Sequence, residues 1–225
     1  MQTQLVEFYA NGGTAPGYLS RPNGNGPGVV VVQEWWGLDA HIKSIADRFA
    51  AAGFVALAPD FYRGQTTKEP DEARKMAMEL QYPQAEQDMQ GAVNYLLAQP
   101  FVQPNKVGIV GFCMGGRLAA IFNTTAASLS AAVAFYGVPP LSDEQAAQMT
   151  APLLAIYGEA DGGFPASVIA ENNRKLTVAG KVHEIVVYPG APHAFFNDTR
   201  PGIYNKVAAD AAWTRTLAWF HQYLK

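Results

Sequence analysis

The sequence predicts an α/β protein: a mostly parallel, twisted sheet flanked by helices, built as one domain over residues 1–225. Two observations carry this expectation. Short apolar runs recur along the chain, at 29–32, 55–58, 107–110, 131–136, 153–157 and 184–188, with helix-like stretches between most of them. The run at 29–32 is four consecutive valines, a pattern of strands buried on both faces rather than on one.

The elements follow in order. Two antiparallel edge strands, 4–9 and 17–20, flank a turn at Asn11-Gly12-Gly13. A loop rich in Gly, Asn and Pro over 21–28 leads into strand 29–32. A helix over 42–52 stops at Gly53, and strand 55–58 is closed by Pro59-Asp60. Residues 61–70 read as loop. Helices 71–80 and 85–99 are separated by Tyr82-Pro83. Strand 107–110 precedes a glycine-rich turn and a helix over 117–122. Strands 131–136 and 153–157, helix 168–179 and strand 184–188 follow. An amphipathic helix over 207–224 closes the chain, with Trp213, Leu217, Phe220 and Leu224 at helical spacing. Alternating strands and helices imply right-handed crossovers, and such sheets place ligands beyond the carboxyl ends of their strands.

Composition narrows the class. Apolar residues make up 49 % and charged residues 16 %, as in a water-soluble enzyme, and a net charge of −3 argues against nucleic acid as a partner. No apolar run approaches the ~20 residues of a membrane span. The start, Met1-Gln-Thr-Gln-Leu-Val-Glu7, lacks the pattern of a signal peptide. One cysteine forms no internal disulfide, which fits a reducing compartment, and a cytoplasmic monomer or small homo-oligomer is expected.

That cysteine is the most informative residue. It stands in Gly111-Phe112-Cys113-Met114-Gly115-Gly116, after a β-type run and before a helix. A lone cysteine is commonly a small buried hydrophobe. Three glycines around it change the reading, because they remove Cβ atoms that would collide in a sharp strand-to-helix turn. The segment resembles the nucleophile elbow of the α/β-hydrolases, with sulfur in place of a hydroxyl. The N-terminus of the following helix favours thiolate there, and the Met114 N–H is placed to bind an oxyanion.

Two more residues follow strands in the required places. Asp161 lies in Gly158-Glu-Ala-Asp161-Gly-Gly163 after run 153–157, and His193 in Pro189-Gly-Ala-Pro-His193 after run 184–188. Nucleophile, acid, histidine is the α/β-hydrolase order. His193 would take the thiol proton, and Asp161 would orient the ring and stabilise its charged form. Each alone reads as an ordinary loop residue; their joint order at strand ends points to acyl transfer. His41, His183 and His221 fit ordinary roles better. After run 29–32, Gln33-Glu34-Trp35-Trp36 occupies the place of the second oxyanion donor, and the Trp35 N–H is the candidate. Glu34, beside two indoles, is a carboxylate whose pKa burial would raise. Trp36, Tyr136 and Phe195 are candidates for the pocket wall.

Gln33-Glu34, Pro59-Asp60-Phe-Tyr62, the Cys113 elbow, Phe135-Tyr-Gly137, Gly158–Asp161 and Gly190-Ala-Pro-His-Ala-Phe195 together resemble dienelactone hydrolase (carboxymethylenebutenolidase). The likeness runs from about Leu5 to the last helix. It implies a Cys113–His193–Asp161 triad, a Glu34 that contacts the resting thiol, and no metal or organic cofactor. The implied substrates are small enol-lactones or esters carrying a carboxylate, opened by water to a maleylacetate-type product. Of the two arginines the family uses for that carboxylate, one resembles Arg74. The position of the other is Asn197 here, with Arg200 close by. The alternatives are a redox-responsive or ligand-binding module on a hydrolase scaffold, or a thioesterase or acyltransferase.

Overall fold

A computed structural model describes residues 1–225. Eight strands form one sheet in the order β1-β2-β4-β3-β5-β6-β7-β8. They are β1 (Gln2–Ala10), β2 (Gly13–Arg21), β3 (Gly26–Val32), β4 (Val55–Pro59), β5 (Val102–Phe112), β6 (Leu129–Phe135), β7 (Leu153–Gly158) and β8 (His183–Tyr188). From β4 to β8 every pairing is parallel, while β2 runs antiparallel to both β1 and β4. Of the two strands expected at an edge, β1 alone is one; β2 is interior because its other side pairs with β4.

Seven helices cover the sheet: α1 (Ala40–Ala51), α2 (Pro70–Glu79), α3 (Tyr82–Leu97), α4 (Met114–Phe122), α5 (Asp143–Gln148), α6 (Ala166–Val178) and α7 (Lys206–Tyr223). The valines of β3 show how the layers divide. Val29 and Val31 pack with α1 and α7, through Ile42, Ile45, Phe49 and Phe220. Val30 and Val32 pack with α3 and α4, through Met89, Val93 and Leu118. Period-2 alternation thus sends successive side chains into two different cores, so a buried strand needs an apolar residue at every position.

Two local differences from the sequence expectation have clear causes. Strand β5 begins five residues earlier than expected, across Pro104, because its ladder to β3 skips from Gly26↔Val102 to Gly28↔Val107 and leaves Pro104 unpaired. Helix α5 was not anticipated; it is short and is closed by a capping box between Ser142 and Gln145.

Candidate active site

The candidate residues gather at the carboxyl ends of the parallel strands. Cys113 follows β5 and is the N-cap of α4, with φ 55° and ψ −114°. The elbow is tight enough that its glycines are obligatory. A Cβ on Gly111 would lie 2.0 Å from the Gly115 carbonyl oxygen, and one on Gly115 would lie 2.4 Å from the Gln33 carbonyl oxygen. The Cys113 N–H donates to the Phe135 carbonyl at 3.1 Å, tying the turn to β6.

His193 stands between Cys113 and Asp161. Its Nε2 is 3.1 Å from Cys113 Sγ, and its Nδ1 is 2.6 Å from Asp161 Oδ2. Asp161 is held in turn by the Gly163 N–H, which donates to Oδ1 at 2.9 Å. Burial works against charge on the ring, but the hydrogen bonds to Asp161 and Cys113 outweigh it and raise the His193 pKa to about 10. When the ring is protonated, Nδ1–H donates to Asp161 and Nε2–H to sulfur. Tyr136 meets the imidazole edge-on with centroids 5.0 Å apart, and Phe164 lies nearly parallel to it at 6.4 Å.

Glu34, at the end of β3, is 2 % exposed. Its Oε2 accepts from Asn197 Nδ2 at 2.8 Å, while Oε1 has no hydrogen-bond partner. Burial raises its pKa to about 7, opposed by the Asn197 hydrogen bond and by the charges of His193 and Arg200. The carboxyl group bonds Asn197 and not the thiol, in contrast to what the resemblance implies. Sulfur faces His193 instead. Sequence reasoning noted Asn197 only as a missing arginine and did not anticipate its bond to Glu34.

Two N–H groups in the expected segments are without a hydrogen-bond partner in the protein. Met114 is the first residue of α4, where helical N–H groups lack intrahelical partners. The Trp35 N–H donates to no group of the protein. Trp36 and Arg200 stack, with the guanidinium 5.1 Å from the ring, and line a cavity of about 280 Å³ with Lys68, Thr67, Asn197 and Thr199.

The other candidates differ in exposure and surroundings. Arg74 is 64 % exposed, pairs with Asp71 at 3.7 Å and borders a separate depression with Trp35, Met78 and Tyr82. Arg74 and Arg200 therefore do not line one cavity. Tyr136 and Phe195, expected in the pocket wall, are fully buried. Phe195 packs against Tyr136 and Tyr188 in the α1–α7 core, because the loop directs it inward while His193 points out. His41, expected to fill an ordinary role near a helix start, is buried and contacts Asp198 at 3.3 Å, which fastens α1 to the loop after His193. No cluster of three or more His, Cys, Asp or Glu side chains is arranged to ligate a metal. No helix is long and apolar enough to cross a membrane.

The sheet order and its resemblance to solved structures define an α/β-hydrolase fold. The sequence pattern of the dienelactone hydrolase family matches residues 15–224, so the chain belongs to that family and is a hydrolase of ester or lactone bonds. Among its relatives, Protein usf of Aquifex pyrophilus is 37 % identical over 98 % of this chain and 99 % of its own. A protein of Aquifex aeolicus (strain VF5), provisionally named a carboxymethylenebutenolidase, is 35 % identical over 99 % of each. A crystal structure from Klebsiella pneumoniae, provisionally named a dienelactone hydrolase, aligns with a TM-score of 0.89 at 31 % identity and covers 99 % of both chains.

Proposed function

We propose that the protein opens a lactone or carboxylic ester through a covalent thioester on Cys113, with His193 and Asp161 completing a triad. The observation that supports this most strongly is the continuous chain from sulfur to Nε2 at 3.1 Å and from Nδ1 to Asp161 at 2.6 Å. With the thiol proton on His193 Nε2, the Cys113 thiolate attacks the carbonyl carbon, and the Met114 and Trp35 N–H groups receive the developing oxyanion. The tetrahedral species collapses, the C–O bond breaks, and His193 gives its Nε2 proton to the departing oxygen. Neutral His193 then takes a proton from water as the water attacks the thioester. Collapse releases the acid and returns the sulfur and imidazolium. Asp161 keeps the ring in the required tautomer throughout.

The substrate class is a small ester or enol-lactone with a carboxylate. The cavity that Asn197 lines carries two cations without ion-pair partners, Lys68 and Arg200, against the single carboxylate of Asp39, and this net positive lining supports that choice. Cys113→Ala tests the reading: hydrolysis of a p-nitrophenyl ester falls to background, and the acyl adduct that mass spectrometry detects on the wild type disappears. Retained turnover overturns it. His193→Ala is expected to be comparably severe, because triad members act as a unit.

A further inference from the structure

We propose that the Tyr62 hydroxyl is a third donor to the oxyanion, alongside the Met114 and Trp35 N–H groups. The proposal rests on the reading of Cys113 as nucleophile.

Tyr62 belongs to the loop after β4, on the same rim of the sheet as the elbow. Its hydroxyl has a single partner in the protein, Met114 Sδ at 3.4 Å. Met114 directly follows Cys113, so the phenol oxygen is packed onto the residue whose N–H heads α4. A thioether is a weak acceptor. The partly buried O–H thus has only a weak acceptor within the protein, and a developing oxyanion is a far better partner. Burial first, then the nearness of Tyr82 and Cys113, pushes the Tyr62 pKa above the usual phenol value, so the proton stays on oxygen.

The loop is built to hold this hydroxyl still. Asp60 accepts the Tyr62 N–H at 3.0 Å and the Gly64 N–H at 2.7 Å. Arg63 adopts a left-handed φ of 53°, donates to the Asp60 carbonyl at 2.7 Å and pairs with Asp88 of α3 at 2.7 Å. Asp88 is itself buried. A surface loop with no functional burden does not need a buried carboxylate, a strained arginine and a two-toothed aspartate cap. Preorganised donors act without reorganisation at the moment of reaction, which is what such a clamp achieves.

Tyr62→Phe removes the hydroxyl and keeps the ring. On a neutral p-nitrophenyl ester, kcat is expected to fall about 10²-fold with KM little changed, as when one oxyanion donor is removed. A trifluoromethyl ketone, which forms a charged tetrahedral adduct with the thiol, is expected to bind more weakly by the same factor. A kcat within twofold of wild type overturns the proposal. So does a loss confined to KM, or a loss in kcat without a parallel loss of ketone affinity. Asp88→Asn loosens the clamp without touching the phenol. It is expected to lower kcat less than Tyr62→Phe and to cost nothing further in the double variant; full additivity overturns the positioning role of Arg63–Asp88. If Tyr62→Phe works at full rate while Cys113→Ala is dead, the role of Tyr62 fails and the thioester reading stands. Turnover by Cys113→Ala sinks both.

Discussion

Asn197 Nδ2 donates to Glu34 Oε2 at 2.8 Å, joining the end of β3 to the loop after His193 across 163 residues of sequence. A neutral amide is the hydrogen-bond donor to a carboxyl group that is almost fully enclosed. Asn197 is itself fixed from behind, because its Oδ1 accepts from the Thr199 N–H and hydroxyl. A cation at this position would have held Glu34 ionised; the amide leaves it close to neutral-pH titration.

Glu34→Gln is therefore expected to stabilise the protein at alkaline pH. The pKa is raised from 4.5 to about 7 in the folded state, so the native chain binds this proton more tightly than the unfolded one. Between those values stability falls as pH rises, by up to ~3 kcal/mol for this one group. The variant lacks that loss. Its thermal midpoint should exceed the wild-type value at pH 8, and the gap should close toward pH 4.5. A constant offset across pH would contradict the assignment.

Asn197→Asp places a second carboxyl against the first. Two buried carboxyl groups at hydrogen-bond distance share a proton, so both cannot be ionised cheaply. The variant should lose roughly 2–4 kcal/mol at pH 8 and recover most of it at pH 5. Urea unfolding at the two pH values measures the difference.

Asp161→Asn keeps the geometry and removes the charge that orients His193. The expected loss in kcat is ~10³–10⁴-fold with the fold retained. The His193 pKa, about 10 in the native protein through its bonds to Asp161 and Cys113, should drop. Imidazole NMR titration reads that shift directly.

Gly115→Ala should destabilise the fold by at least ~2 kcal/mol, because its Cβ would meet the carbonyl oxygens of Val32 and Gln33 at 2.4 Å. Both are backbone atoms, one at the end of β3 and one directly after it, and have no room to yield. Gly162→Ala is the matched control: a Cβ there meets nothing within 4 Å, so the melting curve should barely move.

Particular residues show how far local reading extends. The valine run of β3, the glycines around Cys113 and the strand-end placement of Asp161 and His193 were legible, because each is a local pattern with one conformational meaning. Three features were hidden. The bond from Asn197 to Glu34 joins distant loops. The inward turn of Phe195 depends on the loop that carries His193. The clamp from Arg63 to Asp88 joins a loop to a helix and left no signal in either segment alone. The surroundings of Arg74 were hidden for the same reason, since helix position says which residues share a face but not what that face meets.

The order of strands and helices, the sharp turn at residue 113 and the choice of candidate reactive groups are properties of short stretches, and the amino-acid sequence determined them by itself. Folding decided the rest: which polar groups are sealed away together, which cations share a cavity, and which hydroxyl is left without a worthy acceptor. Burial and charge act through space, and a one-dimensional pattern carries no distances between residues far apart along it.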